Sequence, residues 1–218
     1  MIVSSVSEPR FAQGLIDRYL VAAERGGMDA VVCVNKIDLA DERAPIPRLD
    51  FYAQLGYKLL FTSVPEGRGI HELREVLAGR TSVLAGHSGT GKSSLINAAQ
   101  PGLELSVRDI SRSTSKGRHT TSSVTLLPLD VGGYVVDTPG VRAFGLWDLH
   151  REELEQYFPE IAELSQACRM RDCTHIHEPG CSVKAAVEAG RIAPERHASY
   201  VSIYKSLPSG APWEYGTS

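Results

Sequence analysis

Gly86-His87-Ser88-Gly89-Thr90-Gly91-Lys92-Ser93 is the stretch whose reading decides the fold. It fits the pattern GxxxxGK[ST] and lies between an apolar run that reads as a strand, Thr81 to Ala85, and a segment that reads as a helix, Lys92 to Ala99. In that context the glycines let the backbone wrap round phosphate groups. Successive N–H groups and the helix N-terminus then hold the negative charge. Lys92 is expected to reach the β- and γ-phosphates, and the Ser93 hydroxyl, next to Ser94, to ligate Mg²⁺. The loop by itself leaves the base open.

Upstream, Asn35-Lys36-Ile37-Asp38 follows the apolar run Ala30 to Val34. A carboxylate at Asp38 can accept from both N1–H and the 2-amino group of guanine. Adenine offers neither donor and would leave that carboxylate unpaired in a partly dry pocket, so GTP and GDP are the expected ligands. Thr62-Ser63-Val64 is placed to back the base from the other side. Downstream, Asp137-Thr138-Pro139-Gly140 reads as a switch, with Asp137 on Mg²⁺ directly or through water and the Gly140 N–H sensing the γ-phosphate. Val141 stands where many GTPases carry a glutamine that orients the attacking water, so that group must come from elsewhere. The candidate is His119 in Gly117-Arg118-His119-Thr120-Thr121, with Thr120 or Thr121 as the switch ligand to Mg²⁺; a solvent-exposed loop histidine is the other reading. An ordinary small GTPase presents these motifs as loop, switch, specificity. Here specificity comes first, and the chain reads as circularly permuted.

The flanking pattern supports an α/β fold with a mostly parallel sheet. Strands are expected at 2–6, 30–34, 58–62 and 81–85, alternating with helices around 15–23, 48–55, 70–77 and 92–99. Residues 108–123, rich in Ser, Thr and basic residues, read as a long mobile loop. A hairpin over 124–129 and 134–136 turns at Gly132-Gly133. Beyond Leu146 the texture changes to short helical pieces and a terminal helix over 193–204. The expected division is a GTPase domain over 1–147, a small, mainly helical zinc-binding domain over 148–207 and a loosely ordered tail over 208–218.

Composition bounds the function. At 218 residues the chain can bury one substantial core and a small appendage. A net charge of −3 gives no global attraction to nucleic acid, so any such contact must be a local patch. No apolar run is long enough to span a bilayer and the N-terminus lacks a signal-peptide pattern, so no membrane contact and a cytoplasmic location are expected. A monomer is expected. Of four cysteines, Cys33 sits alone in an apolar run and reads as a buried structural thiol. Cys168, Cys173 and Cys181 cluster with His175 and His177. Cys168-x4-Cys173-x-His175-x5-Cys181 fits a closed, structural Cys₃His zinc site, with His177 as a competing ligand.

The permuted order, the GRHTT string, DTPG followed by an apolar residue, and the Cys/His cluster together resemble the RsgA (YjeQ) family of circularly permuted GTPases. The similarity extends from residue 1 to about residue 205. The resemblance implies a GTPase acting late in assembly of the small ribosomal subunit and stimulated by it, with His119 catalytic beside Lys92. It also implies zinc on Cys168, Cys173, His175 and Cys181, leaving His177 a bystander. Members of that family usually carry an N-terminal OB-fold domain that contacts ribosomal RNA. This sequence starts where the GTPase domain begins, and affinity for the ribosome and its RNA is expected to be weaker for that reason. The basic residues that remain for such contact are Arg108, Arg112, Lys116 and Arg118, and then, in the zinc region, Arg169, Arg171, Lys184, Arg191, Arg196 and Lys205, offset by the acids Asp172, Glu178, Glu188 and Glu195; a solvated charged face is the other reading. The rival reading is a nucleotide-dependent RNA- or ribosome-binding module in which hydrolysis is incidental.

Overall fold

The structure is a computed structural model that describes residues 1–41, 49–102, 125–137, 146 and 149–210. The expected loop over 108–123, with His119, Thr120 and Thr121, lies outside these residues, as do Gly140, Val141 and most of the tail. The chain divides into two compact units, residues 1–12, 30–49 and 57–143, and residues 13–29, 50–56 and 144–218.

The first unit is built on parallel strands that read as short apolar runs: β1 (Ile2–Ser5), β2 (Val31–Asn35), β3 (Lys58–Phe61) and β4 (Arg80–Val83). The antiparallel hairpin of β5 (Thr125–Pro128) and β6 (Gly133–Asp137) completes the set. β1 pairs with β2 and β2 with β3, while β4 pairs with β6. The two ladders meet where Val3 N–H donates to the Ala85 carbonyl (2.7 Å) and Ala85 N–H to the Met1 carbonyl (2.9 Å). The resulting order is β3-β2-β1-β4-β6-β5, with only β5 antiparallel. β4, the strand that feeds the glycine-rich loop, is therefore central although it is fourth in the chain, which is the permutation expressed as topology. Helices α3 (Ile70–Leu77) and α4 (Lys92–Ala99) bury Leu73, Leu77, Leu95 and Ile96 in the same core as Val3, Cys33 and Val135. Each such aliphatic side chain contributes about 1.5–3 kcal/mol on leaving water.

The second unit gathers helices from both ends of the sequence. They are α1 (Gln13–Arg25), α2 (Asp50–Gln54), a 3-10 helix over Arg151–Tyr157, α5 (Pro159–Ser165), α6 (Ser182–Glu188) and α7 (Pro194–Ser206). In α1, Ile16, Leu20 and Val21 recur on one face. The helix stops at Gly26-Gly27, where Gly27 takes φ 61° and Met28 N–H caps the Ala23 carbonyl at 2.9 Å. The core gathers around Phe158, Ile161, Tyr200 and Ile203, and a buried charge network lies beside it. Arg196, 1% exposed, donates to Asp17 Oδ1 from Nη1 (2.7 Å) and to Glu160 from Nε (2.7 Å) and Nη2 (3.2 Å). Tyr52 also donates to Asp17, and the guanidinium lies 4.3 Å from the centre of the Phe158 ring. Arg196 is thus withdrawn from the basic residues that could face RNA, because its buried guanidinium donates to two carboxylates through Nε, Nη1 and Nη2. Among the described residues no helix is long and apolar enough to cross a membrane.

Candidate functional site

The glycine-rich loop runs from the end of β4 into α4, and its glycines sit where a side chain cannot. Gly86 has φ 147°, and a Cβ there would lie 2.0 Å from the Val3 carbonyl oxygen. Gly91, at φ 92°, would bring a Cβ within 2.3 Å of Asn35 Nδ2. Between them Thr90 Oγ1 donates to the His87 carbonyl (3.0 Å) and closes the turn. Ser88 and Gly89 face solvent at the crown, and Ser93 lies buried in the first turn of α4 with Ser94 half-buried beside it. Lys92 Nζ reaches back to the Gly86 (2.9 Å) and His87 (2.8 Å) carbonyls, so the ammonium spans the mouth of the loop; burial pulls its pKa below the usual lysine range. Gly86→Ala is expected to cost about 1–3 kcal/mol through the backbone clash with β1. Thermal melts and GDP titration should both register the change, whereas a wild-type melt would contradict the close approach.

The second loop is tied to the first by Asn35. This side chain, 2% exposed at the end of β2, donates from Nδ2 to the Thr90 carbonyl at 2.9 Å. A carbonyl can only accept, so Nδ2 must face it and Oδ1 must face Thr62, whose hydroxyl donates to it at 3.0 Å. With that proton used, the Cys33 thiol, 3.5 Å away, is the donor to Thr62 Oγ1; burial pushes this thiol up to about 11 and keeps it protonated. Thr62 and Ser63 are both fully buried, and Ser63 Oγ accepts from Glu66 N–H at 3.3 Å. Lys36 takes the left-handed conformation, φ 60° and ψ 39°, and turns the chain into a short 3-10 turn over Ile37–Leu39 that presents Asp38. Its ammonium donates to the Glu8 carbonyl, a partner with no signature in the sequence. Asp38 Oδ1 is buried with no hydrogen-bond partner among the described residues. A buried carboxylate oxygen left unpaired is costly, and its natural complement is an N–H donor from a ligand. Asp137 is the last residue of β6, one strand away from β4.

A separate cluster lies in the second unit. The ligating atoms of Cys168, Cys173, His175 and Cys181 all fall within 4.8 Å of one another. Cys168 Sγ and Cys181 Sγ are 3.8 Å apart, and His175 Nδ1 lies 3.6 Å and 3.5 Å from them. A tetrahedron with bonds of about 2.3 Å to sulfur and 2.0–2.1 Å to nitrogen has edges of about 3.8 Å and 3.6 Å, so Cys168, Cys181 and His175 are spaced as around a zinc-sized ion, with Cys173 within 4.8 Å of them. These four residues could hold a metal. His177 is the exception in the string, with a side chain 81% exposed and outside the group of four.

Three groups frame this cluster that sequence reasoning did not single out. Glu178 is buried and accepts from the N–H groups of Thr174 (2.9 Å), Ile176 (3.1 Å) and His177 (3.1 Å), knitting the turn that presents His175. Burial opposes its ionisation, but the Thr174 hydroxyl and these N–H groups prevail and hold its carboxyl down to about 2. Glu155 Oε2 lies 3.0 Å from His175 Nε2, and His197 Nε2 lies 2.8 Å from the His175 carbonyl. Cys181 caps α6, accepting from Lys184 N–H at 3.5 Å.

Comparison with known proteins shows the family. The family model for the RsgA GTPase matches residues 1–147. A relative from Chlorobaculum tepidum, named small ribosomal subunit biogenesis GTPase RsgA, is 44% identical over 207 residues, covering 95% of this chain and 67% of its own. One of the same name from Bacteroides fragilis is 41% identical over 214 residues, covering 96% and 69%. Among solved structures, YjeQ from Thermotoga maritima superimposes with a TM-score of 0.77 at 40% identity, over 94% of this chain and 69% of that one. YloQ, described as a circularly permuted GTPase, gives 0.71 at 32% identity, over 94% and 66%. The chain spans about two thirds of the length of these relatives. On the family match, the identity and the permuted sheet together, the chain belongs to the RsgA GTPase family.

Proposed function

We propose that this protein hydrolyses GTP with Mg²⁺ as a late assembly factor of the small ribosomal subunit, and that contact with the subunit stimulates turnover and times release. The observation that carries the nucleotide reading is the buried Asp38 Oδ1, without a hydrogen-bond partner among the described residues, on a turn whose neighbour Asn35 is bonded to the phosphate loop. Asp38 would accept from N1–H and the 2-amino group of guanine. Asn35 and Lys36 would fix the turn, and Thr62 and Ser63 would support it from beneath. The N–H groups of Ser88, Gly89, Thr90, Gly91 and Lys92 would face the phosphates, and Lys92 would leave the Gly86 and His87 carbonyls for the β- and γ-oxygens. Mg²⁺, when bound, neutralises charge developing on those oxygens; Ser93, Asp137 and Thr120 or Thr121 would be its ligands. Gly140 N–H would read the γ-phosphate.

His119 is proposed to place the water for in-line attack, because Val141 cannot. His119→Ala is expected to leave GTP binding unchanged and to slow hydrolysis roughly 100-fold. Single-turnover assays with a fluorescent GTP analogue separate the two effects, and an unchanged subunit-stimulated rate would remove His119 from this role.

Zinc is the metal proposed for Cys168, Cys173, His175 and Cys181. With four protein ligands the site would be closed and structural, and Cys181 would tie it to the apolar core of the second unit. In this reading residues 1–147 carry nucleotide turnover, residues 148–207 form the zinc domain and 208–218 form a tail. Ribosomal contact falls to both, with the exposed Arg169 and Arg171 beside the zinc turn.

A further inference from the structure

We infer that Glu155 is the positioning residue of the metal centre, the group that aims the His175 imidazole at the three sulfurs. The inference rests on the zinc reading above and adds a residue fourteen or more positions from every ligand but one. His175 is 1% exposed, and its two ring nitrogens have different partners. Nδ1 looks at Cys168 and Cys181, and Nε2 looks at Glu155 Oε2 at 3.0 Å. A carboxylate facing Nε2 keeps the ring proton on that nitrogen and leaves the Nδ1 lone pair free for the ion. Without it, the tautomer protonated at Nδ1 becomes available, and that tautomer cannot ligate through the nitrogen that faces the sulfurs.

The carboxylate is itself fixed. The Ser165 hydroxyl donates to Oε1, so the 3-10 helix over Arg151–Tyr157 and the end of α5 jointly set the direction of Oε2. The histidine backbone needs such support. His175 has φ 61°, a left-handed conformation that costs a non-glycine residue about 1 kcal/mol or more. His197 on α7 reaches the His175 carbonyl at 2.8 Å and holds that turn from a second element. Ring and backbone are thus held by separate elements, and only the ring contact selects the ligating nitrogen.

The test uses the whole protein as purified, its metal content, and competition for Zn²⁺ with a chromogenic chelator. Glu155→Ala is expected to lower metal affinity roughly 10- to 100-fold. In the Co²⁺-substituted protein it should also weaken the d–d absorption bands as imidazole ligation is lost. Glu155→Gln should retain most of the affinity, because its amide oxygen still accepts from Nε2–H. Glu152→Ala removes the same charge from an exposed position of the same helix and should change nothing. Chelator resistance of Glu155→Ala equal to that of Glu152→Ala would overturn the inference. A wild-type protein that carries no metal and binds Zn²⁺ no more tightly than the Cys181→Ser variant would instead overturn the zinc reading beneath it.

Discussion

Asp38→Asn is expected to weaken GDP and GTP binding by two to three orders of magnitude while leaving the fold intact. The carboxylate would form two charge-assisted hydrogen bonds with guanine, each contributing about 1.5–3 kcal/mol, and about 1.4 kcal/mol corresponds to a factor of ten in affinity. Asparagine can still accept from one donor, but its amino group then faces the 2-amino group of the base, donor against donor. The same geometry predicts a rescue. Xanthine has a carbonyl where guanine carries the 2-amino group, so the variant should recover affinity for xanthosine nucleotides. Equal losses for GTP and ATP, with no gain for xanthosine diphosphate, would show that Asp38 does not read the base. Folding is expected to be unaffected because Asp38 Oδ1 has no hydrogen-bond partner among the described residues to lose.

The second large effect concerns stability. Arg196→Ala should destabilise the second unit by about 3–5 kcal/mol, the usual result of removing one partner from a buried ion cluster. Two carboxylates lose their counter-ion, and the Phe158 ring loses the guanidinium stacked on it. For a chain of this size that corresponds to a fall of roughly 10 °C in unfolding midpoint. The deficit should also depend on pH. Burial already raises the Asp17 pKa above its ordinary value, with Arg196 opposing the rise. Once Arg196 is gone, a charged Asp17 is penalised further. The penalty is absent where Asp17 is protonated and appears as pH rises through its folded-state value, so the gap between variant and wild type should be narrower at pH 5 than at pH 8. A gap independent of pH would mean that lost packing, and not the stranded carboxylate, dominates.

These two residues illustrate what the sequence disclosed and what it did not. Asp38 was legible because nucleotide chemistry fixes residue type and spacing within a few positions. The same holds for Gly86 to Ser93 and for the cysteine string. The parallel strands were legible as short apolar runs, with boundaries displaced by a residue or two: β2 is Val31–Asn35 where 30–34 was expected, and α7 is Pro194–Ser206 where 193–204 was expected. Arg196 was not legible. Its partner Asp17 is 179 positions away, and a basic residue among basic neighbours reads as a solvated face until the structure turns it inward. The gathering of α1 and α2 with the C-terminal helices depends on that same long-range network and has no local signature. Glu155 and Glu178 escaped for a similar reason, since single acids in a charged stretch carry no mark of what they bond.

The central claim is that this GTPase works on the small ribosomal subunit, and the most direct measurement is GTP turnover by the chain with and without purified small subunits. The account predicts slow unaided hydrolysis and stimulation by about tenfold or more on adding subunits, as when a partner completes a GTPase site. Turnover that stays the same up to saturating subunit would contradict it.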